Sequence, residues 1–178
     1  MKLFAVALTL AASLTPVGPL GELTGLAVQR VQVADLVAAA KFGTTQPIDD
    51  PVREQQVLDT VRTKAVELAI DPENAARFFR AQIEANKLVQ RGLYARWTEH
   101  PEEVPAHRPD LATEVRPVLD RLTTDILAEL KDTAQLRRPT VRCEIQATVA
   151  ERSAVVLNRL DRLHEDALAE AMRGVCAR

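Results

Sequence analysis

Residues 28–41, which read VQRVQVADLVAAAK, are an apolar helical run that carries two cationic side chains. Arg30 and Lys41 are eleven residues apart, which is almost three turns of an α-helix, so both project from one side. Val33 and Val37 lie on that same side. Because an apolar face packs into a core and long cationic side chains are seldom buried without an anion, the pattern predicts an anion that meets both cations.

The composition favours helices over sheets. Six glycines and 3% aromatic residues are few, and strands prefer aromatic and β-branched side chains. A chain of 178 residues, 47% of them hydrophobic, suits one domain with a sizeable core. The net charge of -2 gives no overall attraction to nucleic acid or to an anionic membrane. We therefore predict a single all-α domain in which any anion site is local.

The N-terminus is typical of an export signal. Lys2 precedes an apolar stretch from Leu3 to Leu14, which is too short to span a bilayer as a helix but suits the core of a signal peptide. We predict a signal peptide over residues 1–18, cleaved between about residues 13 and 20, and a mature domain over residues 21–178. An ordinary N-terminal helix is the alternative interpretation.

The two cysteines, Cys143 and Cys176, both lie in the C-terminal quarter of the chain. An oxidising compartment would pair them, and the closed loop would add about 3 to 4 kcal/mol in the chain-entropy account. Two free buried thiols are the alternative. Pairing excludes one straight helix through residues 141–175, which would hold the cysteines roughly 50 Å apart, so the chain would have to turn back between them.

Helix start and stop signals divide the first half of the chain. A first helix is predicted over about residues 22–42, because Gly43 and the proline-containing segment after it stop helical structure. Asp50 and Asp71 are predicted N-caps, and each precedes a proline at the first helical position. The helices that they begin are predicted to end near Ala69 and near Thr98.

The second half begins with HPEEVPAHRPD, residues 100–110, which has three prolines and is predicted to be a loop. It is not a domain boundary, because neither half of the chain could bury its own apolar faces. A fourth helix is predicted over about residues 111–136, with Pro117 near its start, and a last segment carries both cysteines.

Several kinds of chemistry have no support in the sequence. The three histidines have no metal-ligand spacing, and no nucleophile motif is visible, so we predict neither a metal site nor covalent catalysis. The scarcity of glycine argues against phosphate loops and dinucleotide fingerprints, and we predict no cofactor. The remaining candidates are cations and amides at helical spacing: Arg30, Lys41, Arg53, Asn86, Gln90 and Arg116.

Each of these candidates is weak evidence when taken alone. Asn86 and Gln90 are four residues apart and therefore share one helix face, but most amides on helices are solvated. Arg53 could simply pair with Glu54 or Asp50 at the surface, which stabilises a protein little. The six candidate residues taken together are stronger evidence for a functional site than any one of them alone.

Together, these features resemble the secreted chorismate mutases, the exported gamma subclass of the all-helical AroQ class. The resemblance spans about residues 23–176. It rests on the spacing of Arg30 and Lys41, PIDDPVRE, FFRAQIEANKLVQ, Trp97, the PDL turn before Arg116, and the cysteine pair. It implies an all-α bundle of about six helices, a homodimer, and an active site built within each protomer.

The resemblance also supplies the anion that the two cations require. Chorismate is a dicarboxylate that rearranges to prephenate by breaking an ether bond while a carbon–carbon bond forms, with no nucleophile, metal, cofactor or covalent intermediate. An enzyme for this reaction must hold the flexible substrate in its compact reactive conformer. It must also place hydrogen-bond donors where negative charge develops on the ether oxygen.

The matching motifs imply roles for individual residues. Lys41 and Gln90 would donate to the ether oxygen, while Arg30 and Arg116 would bind carboxylates through their planar guanidinium groups. Pro117 limits the helix that precedes it, so it affects where Arg116 lies.

The other site residues lie on the second and third helices. Arg53 and Glu54 would face the ring hydroxyl and a nearby carboxylate, with Asp50 close by. Asn86 stands where the family more often carries a hydroxyl residue, and it could hydrogen-bond a carboxylate. The alternative function is a secreted helical binding module whose cations dock an acidic partner. Both interpretations predict a secreted or periplasmic protein that, after signal removal, binds no membrane and no nucleic acid.

Overall fold

The structure, a computed structural model, describes residues 17–176. Over that range it contains six α-helices and no strand, which confirms the predicted all-α fold. The predicted signal peptide lies outside the described residues except for Val17 and Gly18. The helices are α1 (Gly21–Lys41), α2 (Pro51–Glu67), α3 (Pro72–Glu99), α4 (Arg116–Asp132), α5 (Val141–Asn158) and α6 (Arg162–Ala171).

Both predicted N-caps form. The Asp50 carboxylate accepts a hydrogen bond of 3.0 Å from the backbone N–H of Arg53, and Pro51 is the first residue of α2. The Asp71 carboxylate accepts two bonds of 2.9 Å from backbone N–H groups in the first turn of α3. Because a proline has no N–H to leave unpaired at this position, the Asp-Pro pair begins each helix at a defined residue.

Helix α1 is the central element of the bundle and contacts α3, α4, α5 and α6. A helix that meets neighbours on most sides must be apolar on most sides, and its many alanines allow those neighbours to approach closely. Its fully buried side chains include Leu23, Ala27, Val31, Ala34 and Ala38. Arg30 therefore lies on the most buried helix of the molecule.

The long helix α3 packs against α1, α2 and α6. Its 28 residues span about 42 Å, so it reaches across the whole bundle. At its C-terminal end, Tyr94 and Trp97 contact Phe42 edge-on, with ring centroids 5.1 and 5.4 Å apart. Arg108, from the loop that follows α3, donates to the Phe42 carbonyl at 2.6 Å. These contacts hold the end of α1 against α3.

The start of the fourth helix differs from the prediction of one continuous α-helix over residues 111–136. A wider π-helical turn, Leu111–Val115, precedes α4, which ends at Asp132. Pro117 explains the wider turn, because it cannot donate the α-helical hydrogen bond and its ring crowds the carbonyl four residues earlier. The predicted loop before it also contains a short 3-10 helix, Pro101–Glu103.

The predicted disulfide is present between Cys143 and Cys176, whose Cα atoms are 5.9 Å apart. The chain turns back between them, as the pairing required. Helix α5 ends at Asn158, and the next residue, Arg159, has a positive φ of 50°. The Asp161 carboxylate caps α6 by accepting from the His164 N–H at 2.9 Å. The disulfide between Cys143 and Cys176 ties the start of α5 to the segment after α6.

Candidate active site

A cavity of about 360 Å³ lies between α1, α2, α3 and the start of α4. The loop between α1 and α2 closes one side of it, through Gln46, Pro47 and Ile48. All eight predicted site residues line this cavity: Arg30, Lys41, Asp50, Arg53, Glu54, Asn86, Gln90 and Arg116. Side chains from four helices therefore converge on one concave site rather than on an outer face, which is the arrangement that the enzyme interpretation requires.

Arg30 is 8% exposed and forms one wall of the cavity. Its Nη1 donates to the Thr123 hydroxyl at 3.1 Å and to the Leu119 carbonyl at 3.2 Å, and the guanidinium lies 5.4 Å from the centroid of the Phe79 ring. Burial lowers the pKa of Arg30 to about 10, although Asp120 opposes this, so the group is still cationic at neutral pH. None of its hydrogen bonds within the described residues goes to a carboxylate.

Lys41, the last residue of α1, is half-buried at the side of the cavity. Its Nζ donates a hydrogen bond of 2.8 Å to the carbonyl of Pro47. Burial lowers the pKa of Lys41 below its ordinary value, while the nearby Asp50 and Glu54 carboxylates oppose the shift. A partly desolvated ammonium of this kind interacts strongly with developing negative charge.

Gln90 and Asn86 form a hydrogen-bonded amide pair on α3. The Gln90 Nε2 donates to the Asn86 Oδ1 at 2.7 Å, and the buried Gln90 Oε1 has no partner among the described residues. Half-turn rotations of both amides would preserve a bond between them, with Asn86 as donor, and would place the Gln90 Nε2 at the unpartnered position. The pair can thus offer the cavity either an acceptor or a donor.

The first turn of α2 brings three charged side chains to the cavity: Asp50, Arg53 and Glu54. The carboxylate of Asp50 is partly committed to capping the helix. Arg53 is exposed, and its Nη1 lies 3.4 Å from the Gln56 Oε1. Arg116, also exposed, is the first residue of α4 and faces the same cavity, so Pro117 has not removed it from the site.

Lys87 is a cavity residue that the sequence analysis missed. It is 9% exposed, and its Nζ lies 2.8 Å from Glu84, 3.2 Å from Glu54 and 3.3 Å from Asp49. The only local signal was the Glu84–Lys87 spacing of three residues on one helix, which is common on solvated helix faces. The contacts with Glu54 and Asp49 depend on how α2 and the preceding loop pack against α3.

The cavity carries an excess of positive charge. Five cationic side chains line it, against three acidic ones, so the excess is two positive charges. The cations are Arg30, Lys41, Arg53, Lys87 and Arg116, and the acids are Asp50, Glu54 and Asp120. A site of this size and charge suits a small dianion.

One group of potential metal ligands occurs elsewhere in the described part of the chain. His100, Glu102 and Glu103 hold ligand atoms within 4.8 Å of one another, but all three are exposed and none lines the cavity. Glu103 is already paired with Arg96. Between residues 17 and 176, no helix is both long enough and apolar enough to cross a membrane.

The fold and the site define an all-α protein with a cation-rich cavity inside its helical bundle. Residues 21–91 match the family described as chorismate mutase type II. The chain is 36% identical over 160 residues to the secreted chorismate mutase of Mycolicibacterium smegmatis, which covers 89% of this chain and 86% of the relative. It is 32% identical over 158 residues to the secreted chorismate mutase of Mycobacterium tuberculosis, which covers 88% and 78% respectively.

The solved structures that resemble this chain are also chorismate mutases. The crystal structure of chorismate mutase from Burkholderia phymatum superposes with a TM-score of 0.84 at 34% identity, covering 89% of this chain and 96% of that one. The chorismate mutase from Burkholderia thailandensis gives a TM-score of 0.82 at 38% identity, covering 87% and 97%. The chain belongs to the chorismate mutase family, and its secreted relatives support export.

Proposed function

We propose that this protein catalyses the rearrangement of chorismate to prephenate in the cavity between α1, α2, α3 and α4. The observation that carries the proposal is the convergence of Arg30, Lys41, Gln90 and Arg116 on one concave site with an excess of two positive charges. Chorismate carries two carboxylates, so its charge matches this excess. The reaction is intramolecular, and the enzyme supplies only conformational restriction and electrostatic stabilisation.

In this proposal, two donors act on the ether oxygen. Lys41 provides an ammonium whose desolvation strengthens its interaction with the negative charge that grows there. Gln90 provides its amide N–H after the rotation described above, while Asn86 keeps the amide in place through their mutual hydrogen bond. Because both interactions strengthen as the ether bond breaks, they stabilise the transition state more than the bound substrate.

The remaining polar groups hold the substrate. Arg30 binds one carboxylate from the buried side of the cavity, with its guanidinium fixed by Thr123 and the Phe79 ring. Arg116 and Arg53 bind carboxylate oxygens from the exposed side. Glu54 and Asp50 accept hydrogen bonds, and Glu54 faces the ring hydroxyl. These contacts select the compact conformer, in which the reacting carbon atoms are close together.

A direct assay tests the proposed function. Purified, disulfide-bonded protein should consume chorismate, seen as loss of its ultraviolet absorbance, with prephenate identified as the product. Lys41→Met keeps much of the side-chain volume but removes the charge, and it should be nearly inactive. Lys131→Met changes an exposed lysine of α4 outside the cavity and serves as the matched control. Absence of chorismate consumption by the folded wild-type protein would refute the proposal.

We also propose that residues 1–18 form a cleaved signal peptide. The secreted relatives and the disulfide support this interpretation, because disulfides persist in oxidising compartments. The mass of the exported protein should correspond to cleavage between about residues 13 and 20. An exported protein that retains Met1 would contradict it.

Finally, we propose that the protein is a homodimer. Support comes from α5, where Val141, Ile145 and Val149 are 71%, 59% and 48% exposed. Their spacing of four residues puts them on one face, and a row of exposed apolar side chains is typical of an interaction surface. Sedimentation equilibrium should give twice the monomer mass, and Ile145→Glu should shift the protein toward monomer. A wild-type monomer at all concentrations would refute the proposal.

A further inference from the structure

The ammonium of Lys87 lies among three carboxylates at the side of the cavity. Its Nζ is 2.8 Å from Glu84 on its own helix, 3.2 Å from Glu54 on α2 and 3.3 Å from Asp49 in the loop between α1 and α2. The Lys87 side chain is 11% exposed, and that of Glu54 is 17% exposed. A mostly desolvated pair with hydrogen-bonding geometry is coupled far more strongly than a pair on the open surface.

Asp49 extends this network to the loop that closes the cavity, residues 43–49, which we term the strap. Its carboxylate also accepts from the Arg91 Nη2 at 2.7 and 2.8 Å, so two cations of α3 hold one end of the strap. Two residues before Asp49, the Pro47 carbonyl accepts a hydrogen bond from the Lys41 Nζ. Gln46, Pro47 and Ile48 of the strap line the cavity. Its position therefore depends on ion pairs with α3.

We propose that Lys87 is a positioning residue of the active site, which fixes the Glu54 carboxylate inside the cavity and, through Asp49, holds the strap over it. This inference rests on the proposed function, because it assigns Glu54 and the strap a task in binding chorismate. Lys87 acts through its partners rather than by contact with reacting atoms. One cation thereby couples the first turn of α2 to the loop before it.

The groups around Glu54 show what the removal of Lys87 would change. Besides Lys87, the cavity that Glu54 lines has the cations Arg30, Lys41, Arg53 and Arg116 and the acids Asp50 and Asp120, while Asp49 and Glu84 contact Lys87 itself. Although burial opposes it, hydrogen bonds with Glu84 and Glu54 raise the pKa of Lys87, so it is charged throughout the working pH range. Without that charge, the unpaired Glu54 carboxylate would repel a dianionic substrate.

The test compares Lys87→Met, which keeps an apolar stem of similar length, with wild type. At mildly alkaline pH, KM for chorismate should rise about tenfold while kcat changes less than about threefold, since the lost charge acts on binding rather than on bond breaking.

Lys87→Arg should restore most of the affinity, because it restores the charge, whereas Lys131→Met should behave as wild type. Lys87→Gln retains a donor without the charge and should show the same rise in KM, so it replaces Lys87→Met if that variant does not fold. Hydrogen exchange gives a readout that needs no substrate. Amide exchange in residues 43–49 should be faster in Lys87→Met and in Asp49→Asn than in wild type.

The outcomes separate this inference from the proposed function. If wild type does not convert chorismate, the proposed function fails, and faster exchange in the strap of Lys87→Met would still support the structural link. If wild type is active, an unchanged KM and unchanged strap exchange in a folded Lys87 variant would overturn the inference. A fall in kcat with no change in KM would also overturn it, because Lys87 would then act on the chemical step.

Discussion

The Nζ of Lys41 lies 2.8 Å from the carbonyl oxygen of Pro47, so the last residue of α1 is hydrogen-bonded to the strap that closes the cavity. In the proposed mechanism, this same ammonium stabilises the ether oxygen of chorismate. The substrate must therefore share or replace the Pro47 carbonyl as the acceptor. This contact connects the position of the strap directly to the group on which the proposed chemistry most depends.

Lys41→Ala should lower kcat at least about a hundredfold, because removing one donor to developing negative charge typically costs about 2.7 to 4 kcal/mol. Steady-state kinetics with chorismate measures the effect, and circular dichroism establishes that the variant folds. Lys131→Ala, at an exposed position on α4, is the control and should keep the wild-type rate. A folded Lys41→Ala protein with a near-normal rate would remove Lys41 from the site.

Gln90→Glu should make the enzyme acid-dependent. An amide donates a hydrogen bond at any ordinary pH, whereas a carboxyl group donates to the ether oxygen only while protonated. Rising pH would ionise the new carboxyl and oppose the negative charge on that oxygen, so kcat/KM should fall. The buried position of Gln90 would raise the pKa of the glutamate, while Lys41 and the arginines would oppose that shift.

The comparison requires kcat/KM for both proteins from mildly acidic to mildly alkaline pH. The wild-type profile should be nearly flat through neutrality, and the variant should approach it only at the acidic end. Asn86→Asp provides a second test on the same helix face, because the proposal gives that residue a positioning task. Parallel profiles for wild type and Gln90→Glu would mean that Gln90 does not contact the reacting oxygen.

Loss of the disulfide should destabilise the protein substantially. The bond between Cys143 and Cys176 spans a sequence separation of 33 residues, and closing a loop of that length is worth about 4 kcal/mol in the chain-entropy account. The double variant Cys143→Ser/Cys176→Ser should therefore unfold at lower urea concentration and lower temperature. Reductant should lower the unfolding midpoint of wild type and leave that of the double variant unchanged. Two free thiols in native exported protein would contradict the pairing.

Stability should fall at alkaline pH because of His164. Its Nε2 donates to Asp35 of α1 at 2.9 Å and its Nδ1 to Asp161 at 2.6 Å, so both ring nitrogens act as donors and the ring is cationic. The hydrogen bond with Asp35 raises the pKa of His164 from 6.5 to about 9, burial opposes the rise, and Asp161 adds to it. This contribution is fully present below about pH 6.5 and is lost as the pH rises through about 9.

The expected loss in the free energy of unfolding across that window is on the order of 2 kcal/mol. Urea unfolding at a series of pH values measures it. His164→Gln should abolish most of the slope, whereas His107→Gln, whose side chain is 72% exposed in wild type, should leave it unchanged. An identical slope in wild type and His164→Gln would show that the bridge between α1 and α6 does not titrate in this range.

The fold could be predicted largely because its determinants are local. Asp50 and Asp71 begin helices through hydrogen bonds to N–H groups only two or three residues away, so a short window of sequence contains the whole signal. The eight candidate residues were chosen from the helical period and the family motifs, and all eight line one cavity. The π-helical turn before Arg116 was missed, because Pro117 indicates an interruption but not its form.

What the sequence by itself determined is therefore where α1, α2 and α3 begin and end, that Cys143 and Cys176 could pair, and that Arg30 and Lys41 project from one side of α1. Only the tertiary structure decided that Lys87 meets Glu54 and Asp49, and that His164 meets Asp35. The physical reason is the distance along the chain over which each interaction acts. Helix caps and periodicity act within a few residues, whereas an ion pair between helices depends on their relative rotation and distance, which the packing of the whole core sets.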